Sequence, residues 1–222
     1  MVTVIANPYQ PPIAYVVRHG ETELNAENCF RGWENPALNE NGIRAALQIA
    51  NFFSYEAIGR IVSSDLDRAF QTAEYILQAG TTACPFVSPD FNLRPWNIAA
   101  LAGCERSEEN RNKLAYYIAH PDIPIPNGES LDAFNDRQES MDHYLTVPYE
   151  GLPTVIVTHT SNLTHLAADI DRQNGKDPDH DPEVNDIVEP GGVVAVYLGA
   201  DGKMIMVPRL GAIEREVESQ AS

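Results

Sequence analysis

Two short apolar runs constrain this chain most. Ile13-Ala14-Tyr15-Val16-Val17 and Thr154-Val155-Ile156-Val157-Thr158 lack the polar alternation of a half-solvated strand. Near-continuous runs of this kind are buried on both faces, as parallel strands are when helices cover them. Each ends abruptly at a histidine, His19 after Arg18 and His159 after Thr158. The intervening segments supply the helices. Ile43, Ala46, Leu47, Ala50 and Phe53 recur at helical spacing, with Asn39 or Asn41 as the cap. Arg60-Ile61-Val62-Ser63-Ser64 reads as a short strand leading to a helix that carries Ala69, Phe70, Ala73, Ile76 and Leu77 and stops at Gly80. A third strand is expected within residues 82–87. After His159 a helix carries Leu163, Leu166, Ala167 and Ile170, and strands over 192–198 and 204–207 form a hairpin. This alternation predicts a three-layer α/β/α sandwich, with a mostly parallel central sheet and helices on both faces.

The middle departs from the pattern. Residues 110–119 read as a helix, and 120–128 hold three prolines and form a loop. Gly128-Glu129-Ser130 opens a further helix, with Ser130 as cap and Leu131, Phe134, Met141 and Leu145 on one face. Residues 105–148 are therefore expected to be a small helical lid inserted in one domain spanning 1–222. Residues 1–12 read as an extended arm, 171–190 as a solvated acidic loop and 214–222 as a polar tail. The cluster Asp177-Pro178-Asp179-His180-Asp181 belongs to that loop and is read as solvated, not as a metal site.

Charge narrows the partners. A net charge of −17 argues against nucleic acid or an anionic membrane, which both require basic surface. Three cysteines, odd in number and without CxxC spacing, suit a reducing compartment. With no signal-like start and no membrane-length apolar run, a cytoplasmic protein is expected.

The chemistry gathers at the predicted strand ends. Arg18, His19, Arg68 and His159 fall at or just beyond the carboxyl ends, where ligands bind in open α/β sheets. Two arginines and two histidines without a clustered carboxylate make a positive pocket in an acidic protein. Guanidinium forks suit phosphate oxygens, and a neutral imidazole can attack phosphorus in line. For Arg68 alone, a surface ion pair with Asp65 or Asp67 is the competing reading. Other phosphatase and hydrolase patterns fail. None of the three cysteines has an arginine six places on, Asp65-Leu66-Asp67-Arg68-Ala69 has Ala69 where an aspartate phosphatase needs Thr or Val, and GxSxG is absent.

Five segments in order carry a resemblance. They are Arg18-His19-Gly20-Glu21-Thr22 with Asn25; Phe30-Arg31-Gly32-Trp33 with Leu38 and Gly42; Ser63-Ser64-Asp65-Leu66-Asp67-Arg68-Ala69 with Thr72; Pro126-Asn127-Gly128-Glu129-Ser130-Leu131; and Val157-Thr158-His159. Together they resemble the histidine phosphatase superfamily, also called phosphoglycerate-mutase-like. The resemblance implies that His19 is phosphorylated, its other ring nitrogen held by a carbonyl near Gly20. It implies that Arg18, Arg68 and His159 clamp the phosphoryl oxygens, that Asn25 adds a hydrogen bond, and that neither metal nor cofactor is needed.

Two positions depart from that pattern. In Leu93-Arg94-Pro95-Trp96, Pro95 stands where the family places its proton-donating glutamate. Glu129 is the substitute considered, against the plainer reading of a carboxylate at a helix N-terminus. Thr160, counted here with the phosphate ligands, stands where glycine is usual. Arg31 and Trp96 are the candidates for substrate contact. The expected activity is hydrolysis of a small phosphomonoester. Mutase-type transfer, favoured by Phe30-x-Gly32-Trp33, and a weakly active phosphate-binding module, favoured by Pro95, are the alternatives.

Overall fold

The computed structural model describes residues 11–80, 83, 86–147, 149–175 and 188–212. Most of the expected arm, most of the 171–190 loop with its Asp177–Asp181 cluster, and the 214–222 tail lie outside the described residues. The chain runs β1 (Ala14–Arg18), α1 (Glu23–Ala26), α2 (Glu40–Phe53), β2 (Arg60–Ser63), α3 (Asp67–Gln78), β3 (Val87–Pro89), α4 (Glu108–Ala119), α5 (Leu131–Asp136), α6 (Glu139–Thr146), β4 (Thr154–Thr158), α7 (Thr160–Gln173), β5 (Val188–Leu198) and β6 (Met204–Ala212). These strands form one six-stranded sheet in the order β3-β2-β4-β1-β5-β6. β3, β2, β4 and β1 pair in parallel, and β5 and β6 close the sheet as an antiparallel hairpin.

Alternation along the strands explains the three layers. Tyr15, Val17, Ile61, Val155, Val157 and Ala195 face Ile49 and Phe53 of α2 and Ala69, Ala73 and Ile76 of α3. Their neighbours Ala14, Val16, Val62, Ile156, Val194 and Val196 face Met141 and Leu145 of α6 and Leu163, Leu166 and Ile170 of α7. Every residue of β1 and β4 is buried, so both runs read as apolar throughout. A third cluster lies beyond the sheet edge, where Phe30, Trp96, Ile98 and Leu101 meet Leu114, Ile125 and Phe134 of the 105–148 segment.

Three expected elements are corrected. The third strand begins at Val87, where 82–87 was expected, because it pairs along Ile61–Ser63 with Val87, Ser88 and Pro89. The single helix expected from Ser130 to Leu145 is two, α5 and α6. Gln138 N donates to Asn135 O at 3.0 Å and Met141 N to Gln138 O at 2.8 Å, so the backbone tightens to three-residue turns at the junction. Phe134, Gln138, Met141 and Leu145 still keep one buried face across that break. β5 and β6 extend beyond the expected hairpin, to Val188–Leu198 and Met204–Ala212. Of the two candidate caps for α2, Asn39 is the one used, accepting from Gly42 N at 2.9 Å.

Two glycines let the segment after β1 pack against the start of α2. A Cβ on Gly20 would lie 2.5 Å from Gly42 O, and one on Gly42 would lie 2.1 Å from Glu21 O. Backbone presses on backbone here, and neither side can move as a side chain would. Gly42→Ala should therefore cost about 1–3 kcal/mol of stability, the usual scale of overpacking. Guanidinium denaturation measures it, and an unchanged midpoint would show that the two segments are not pressed together.

Candidate functional site

Strand register builds the site. Arg18 lies opposite Thr158, and Ser63 lies opposite Val157. His19, Ser64 and His159 are therefore each the first residue past the carboxyl end of its own parallel strand. His19 N donates to Thr158 O at 3.0 Å and Ser64 N to Val157 O at 2.9 Å, carrying the ladder one step past the strands. The two imidazoles end up edge to face, centroids 5.0 Å apart.

Two bonds define the state of His19. Nδ1 lies 2.6 Å from Gly20 O, and Nε2 lies 3.3 Å from Arg68 Nε. A carbonyl only accepts and a guanidinium only donates, so the proton sits on Nδ1 and the lone pair on Nε2. Burial, then the charges of Arg68 and Arg31, push His19 well below the ordinary imidazole value, against the pull of the Gly20 carbonyl. His159 is depressed likewise, first by burial and then by Arg68, His19 and Arg31. Both rings are neutral at pH 7.

Around them stand the cations. Arg68, fully buried in the first turn of α3, donates to Gly32 O at 3.0 Å and Glu34 O at 2.6 Å. Burial lowers it to about 10, so it stays charged at neutral pH. It is a caged cation, not the surface ion pair that Asp65 or Asp67 would have made; Asp65 is taken by a two-pronged bond from Arg94, 2.7 Å on each side. Arg18 is 3% exposed and donates to Val188 O at 2.7 Å. His159 Nε2 lies 2.9 Å from Ser64 Oγ, while His159 Nδ1 and Thr160 Oγ1 are buried without a hydrogen-bond partner among the described residues. Buried polar atoms usually have partners. These two sit beside cations at the N-terminus of α7, which suits an anion.

A cavity of about 40 Å³ opens over this floor, lined by Phe30, Arg31, Gly32, Arg68, Pro95, Trp96, Ile98, Arg106, His159, Thr160 and Ser161. That holds roughly three water-sized groups, the scale of a phosphoryl group's free oxygens. Arg31, Trp96 and Thr160 are thus brought to the cavity with Arg68 and His159. Arg18 and His19 are not among the lining residues; His19 meets the wall through Arg68, 3.3 Å from its Nε. Asn25 is not on this wall; its Oδ1 accepts from Thr22 N at 3.2 Å and Thr22 Oγ1 at 2.9 Å, closing the start of α1.

Glu129 is not on the wall either. Its carboxylate pairs with Arg137 at 2.8 and 3.1 Å and accepts from Asn97 N at 2.8 Å. Arg137 also donates to the carbonyls of Asn92, Arg94 and Pro95 at 2.7, 2.6 and 2.6 Å. The pair therefore pins the Pro95-Trp96 segment against the 105–148 insertion. Among the described residues, no cluster of three or more His, Cys, Asp or Glu is placed to hold a metal ion. No helix among them is long and apolar enough to cross a membrane.

Comparison with known proteins agrees with this arrangement. The model of the histidine phosphatase superfamily (branch 1) matches residues 14–183. The chain belongs to the histidine phosphatase superfamily. Among curated members, a probable phosphoglycerate mutase GpmB of Proteus mirabilis is 35% identical over 150 residues, 65% of this chain and 68% of its own. Phosphoglycerate mutase-like protein 4 of Arabidopsis thaliana is 35% identical over 157 residues, 68% of this chain and 67% of its own. Among solved structures, a mycobacterial glucosyl-3-phosphoglycerate phosphatase has a TM-score of 0.71 at 21% identity, covering 90% of this chain and 98% of its own, a likeness of fold. The protein TTHB049 of Thermus thermophilus has a TM-score of 0.59 at 28% identity, covering 88% of this chain and 97% of its own.

The superfamily motif leaves two residues unannounced. Arg106 reaches the cavity because residues 28–30 and 103–106 pair as a short ribbon, with Phe30 N on Cys104 O and Gly103 N on Phe30 O, both at 2.8 Å. Arg137 acts through carbonyls more than 40 residues away in sequence. No local pattern marks either one.

The depressed histidines make stability depend on pH. The folded state resists protonation that the unfolded chain accepts near 6.5, so stability is present above that pH and falls as pH drops toward 5. Each ring contributes a slope of up to about 1.4 kcal/mol per pH unit. Denaturation at pH 7, 6 and 5 should show this loss, and His19→Asn should remove roughly half of the slope. A flat wild-type profile would mean that both rings titrate normally.

Proposed function

We propose that the protein is a metal-independent phosphatase that hydrolyses a small phosphomonoester through a phosphohistidine on His19. The observation that carries this reading is the neutral His19 ring, its lone pair on Nε2 and a buried guanidinium 3.3 Å away. An entering phosphate dianion competes for Arg68 and frees that lone pair. Nε2 attacks phosphorus in line, the ester P–O bond breaks, and the ring becomes a phosphorylated imidazolium whose Nδ1–H still donates to Gly20 O. Arg18, Arg68 and His159 hold the equatorial oxygens as charge spreads over them, and Thr160 adds a hydrogen bond. Water then attacks phosphorus, the P–N electrons return to Nε2, and both of the water's protons end on the departing phosphate. Arg31 and Trp96 contact the remainder of the substrate. Residues 105–148 act as a lid within a single domain.

The curated relatives named as probable phosphoglycerate mutases favour a second reading, phosphoryl transfer between hydroxyls of phosphoglycerate.

Phosphate release from a panel of phosphomonoesters, with trapping of labelled enzyme, tests both. Wild type should turn over and carry one phosphoryl group on the His19 peptide. His19→Ala should lose roughly 10³-fold or more, and Arg68→Met roughly 10²–10³-fold. Activity that survives His19→Ala would end the phosphohistidine reading. Isomerisation of phosphoglycerate without phosphate release would replace it with the mutase. Phosphate binding without turnover of any substrate would leave a binding module.

A further inference from the structure

The proton balance of the first step points to a substrate class. When the ester bond breaks, the leaving oxygen takes the electron pair. A general acid positioned to protonate it commonly contributes about 10²–10⁴-fold, and an alkoxide needs that help most. Among the described residues, the cavity wall offers no such donor. Its polar side chains are three arginines, one histidine, one threonine and one serine, and among the described residues lining it there is no Asp, Glu, Cys, Tyr or Lys.

Among the described residues, Glu129, Asp65, Glu21, His159 and Arg68 are each engaged otherwise. Glu129 holds Arg137 and the amide of Asn97. Asp65 is locked to Arg94, which keeps its carboxyl below the usual range. Glu21 is held by Asn39 and Asn41 and is likewise depressed. His159 is kept neutral by burial among cations, and a neutral imidazole is a very weak acid. Arg68 is fixed to two carbonyls.

The wall offers charge in place of a proton. Arg31 and Arg106 both line it, Arg106 with its guanidinium 5.1 Å over the Phe30 ring. Phe30, Gly32, Pro95, Trp96 and Ile98 form the apolar part of the lining.

Resting on the phosphatase reading, we infer that the substrate carries its phosphoryl group on the oxygen of an sp² carbon, as an aryl, enol or acyl phosphate. The leaving group then departs as a delocalised anion, its charge met by Arg31 and Arg106. The step balances without a protein acid: Nε2 donates its pair to phosphorus, the P–O bond breaks, and the oxygen keeps that pair until solvent protonates it.

The test is a leaving-group series. kcat/KM is measured for ring-substituted phenyl phosphates, phosphoenolpyruvate, acetyl phosphate and glycerol phosphate, each with wild type and His19→Ala. Within the phenyl series, kcat/KM should fall on the order of tenfold per unit of leaving-group pKa, and glycerol phosphate should lie at least about 10²-fold below phenyl phosphate. The enol and acyl arms show which anion the site prefers. Arg106→Gln should steepen the series; a slope equal to that of wild type would overturn the assignment of departing charge to Arg106. Glycerol phosphate hydrolysed within about tenfold of phenyl phosphate, with both lost in His19→Ala, would overturn this inference and leave the phosphatase reading standing. No turnover of any member, or turnover that survives His19→Ala, would overturn both.

Discussion

The register between β1, β4 and β2 is the constraint on which the site depends. Side chains alternate faces along a strand, so a slip of one residue at Arg18 opposite Thr158 would send His19 and His159 to opposite sides of the sheet. The apolar patterning forbids that slip. Val16 and Ile156 serve one helical layer while Val17 and Val157 serve the other, and shifting either strand would exchange its partners throughout. Packing of two hydrophobic layers thus sets the distance between two imidazoles that belong to neither layer.

Electrostatics work the other way, against packing. A chain of net charge −17 keeps a knot of arginines and histidines at one sheet edge. A buried guanidinium is costly unless its donors are satisfied. Arg68 meets this with backbone carbonyls, not with a carboxylate. A carboxylate partner would have cancelled the positive potential at the cavity and competed with an incoming phosphate. Carbonyl dipoles satisfy the donors while leaving the net charge in place. The same field, together with burial, lowers both histidines, so one cluster of cations suits an anion and keeps both rings unprotonated.

Much of this was legible because it is local. A buried strand followed by His can be read from a dozen residues, and it occurs twice, at His19 and His159. Ser130 announces its cap by position, and of the two candidates Asn39 and Asn41 the first is the cap. What escaped is non-local. Arg137 looks like a solvated charge in a helix, yet its bonds to the carbonyls of Asn92, Arg94 and Pro95 exist only in the folded chain. Arg106 faces the cavity through a two-stranded ribbon too short for any periodicity to mark. The break between α5 and α6 was hidden because Phe134, Gln138, Met141 and Leu145 keep helical spacing across it. Glu129 was considered as an acid from its motif alone, while its partners show a carboxylate engaged in joining two loops.

Pro95 carries one last consequence. What the surrounding structure grips at this position is its carbonyl, held by Trp33 Nε1 at 2.8 Å and by Arg137 at 2.6 Å. Pro95 also lines the cavity. The peptide there is an anchored socket with an exchangeable fitting: the anchor is indifferent to what the side chain is, provided the φ of proline suits the replacement. The side chain here can then change at a single codon without disturbing the cationic floor beneath it. One substitution here would alter the cavity wall while leaving the fold, both buried imidazoles and Arg68 in place.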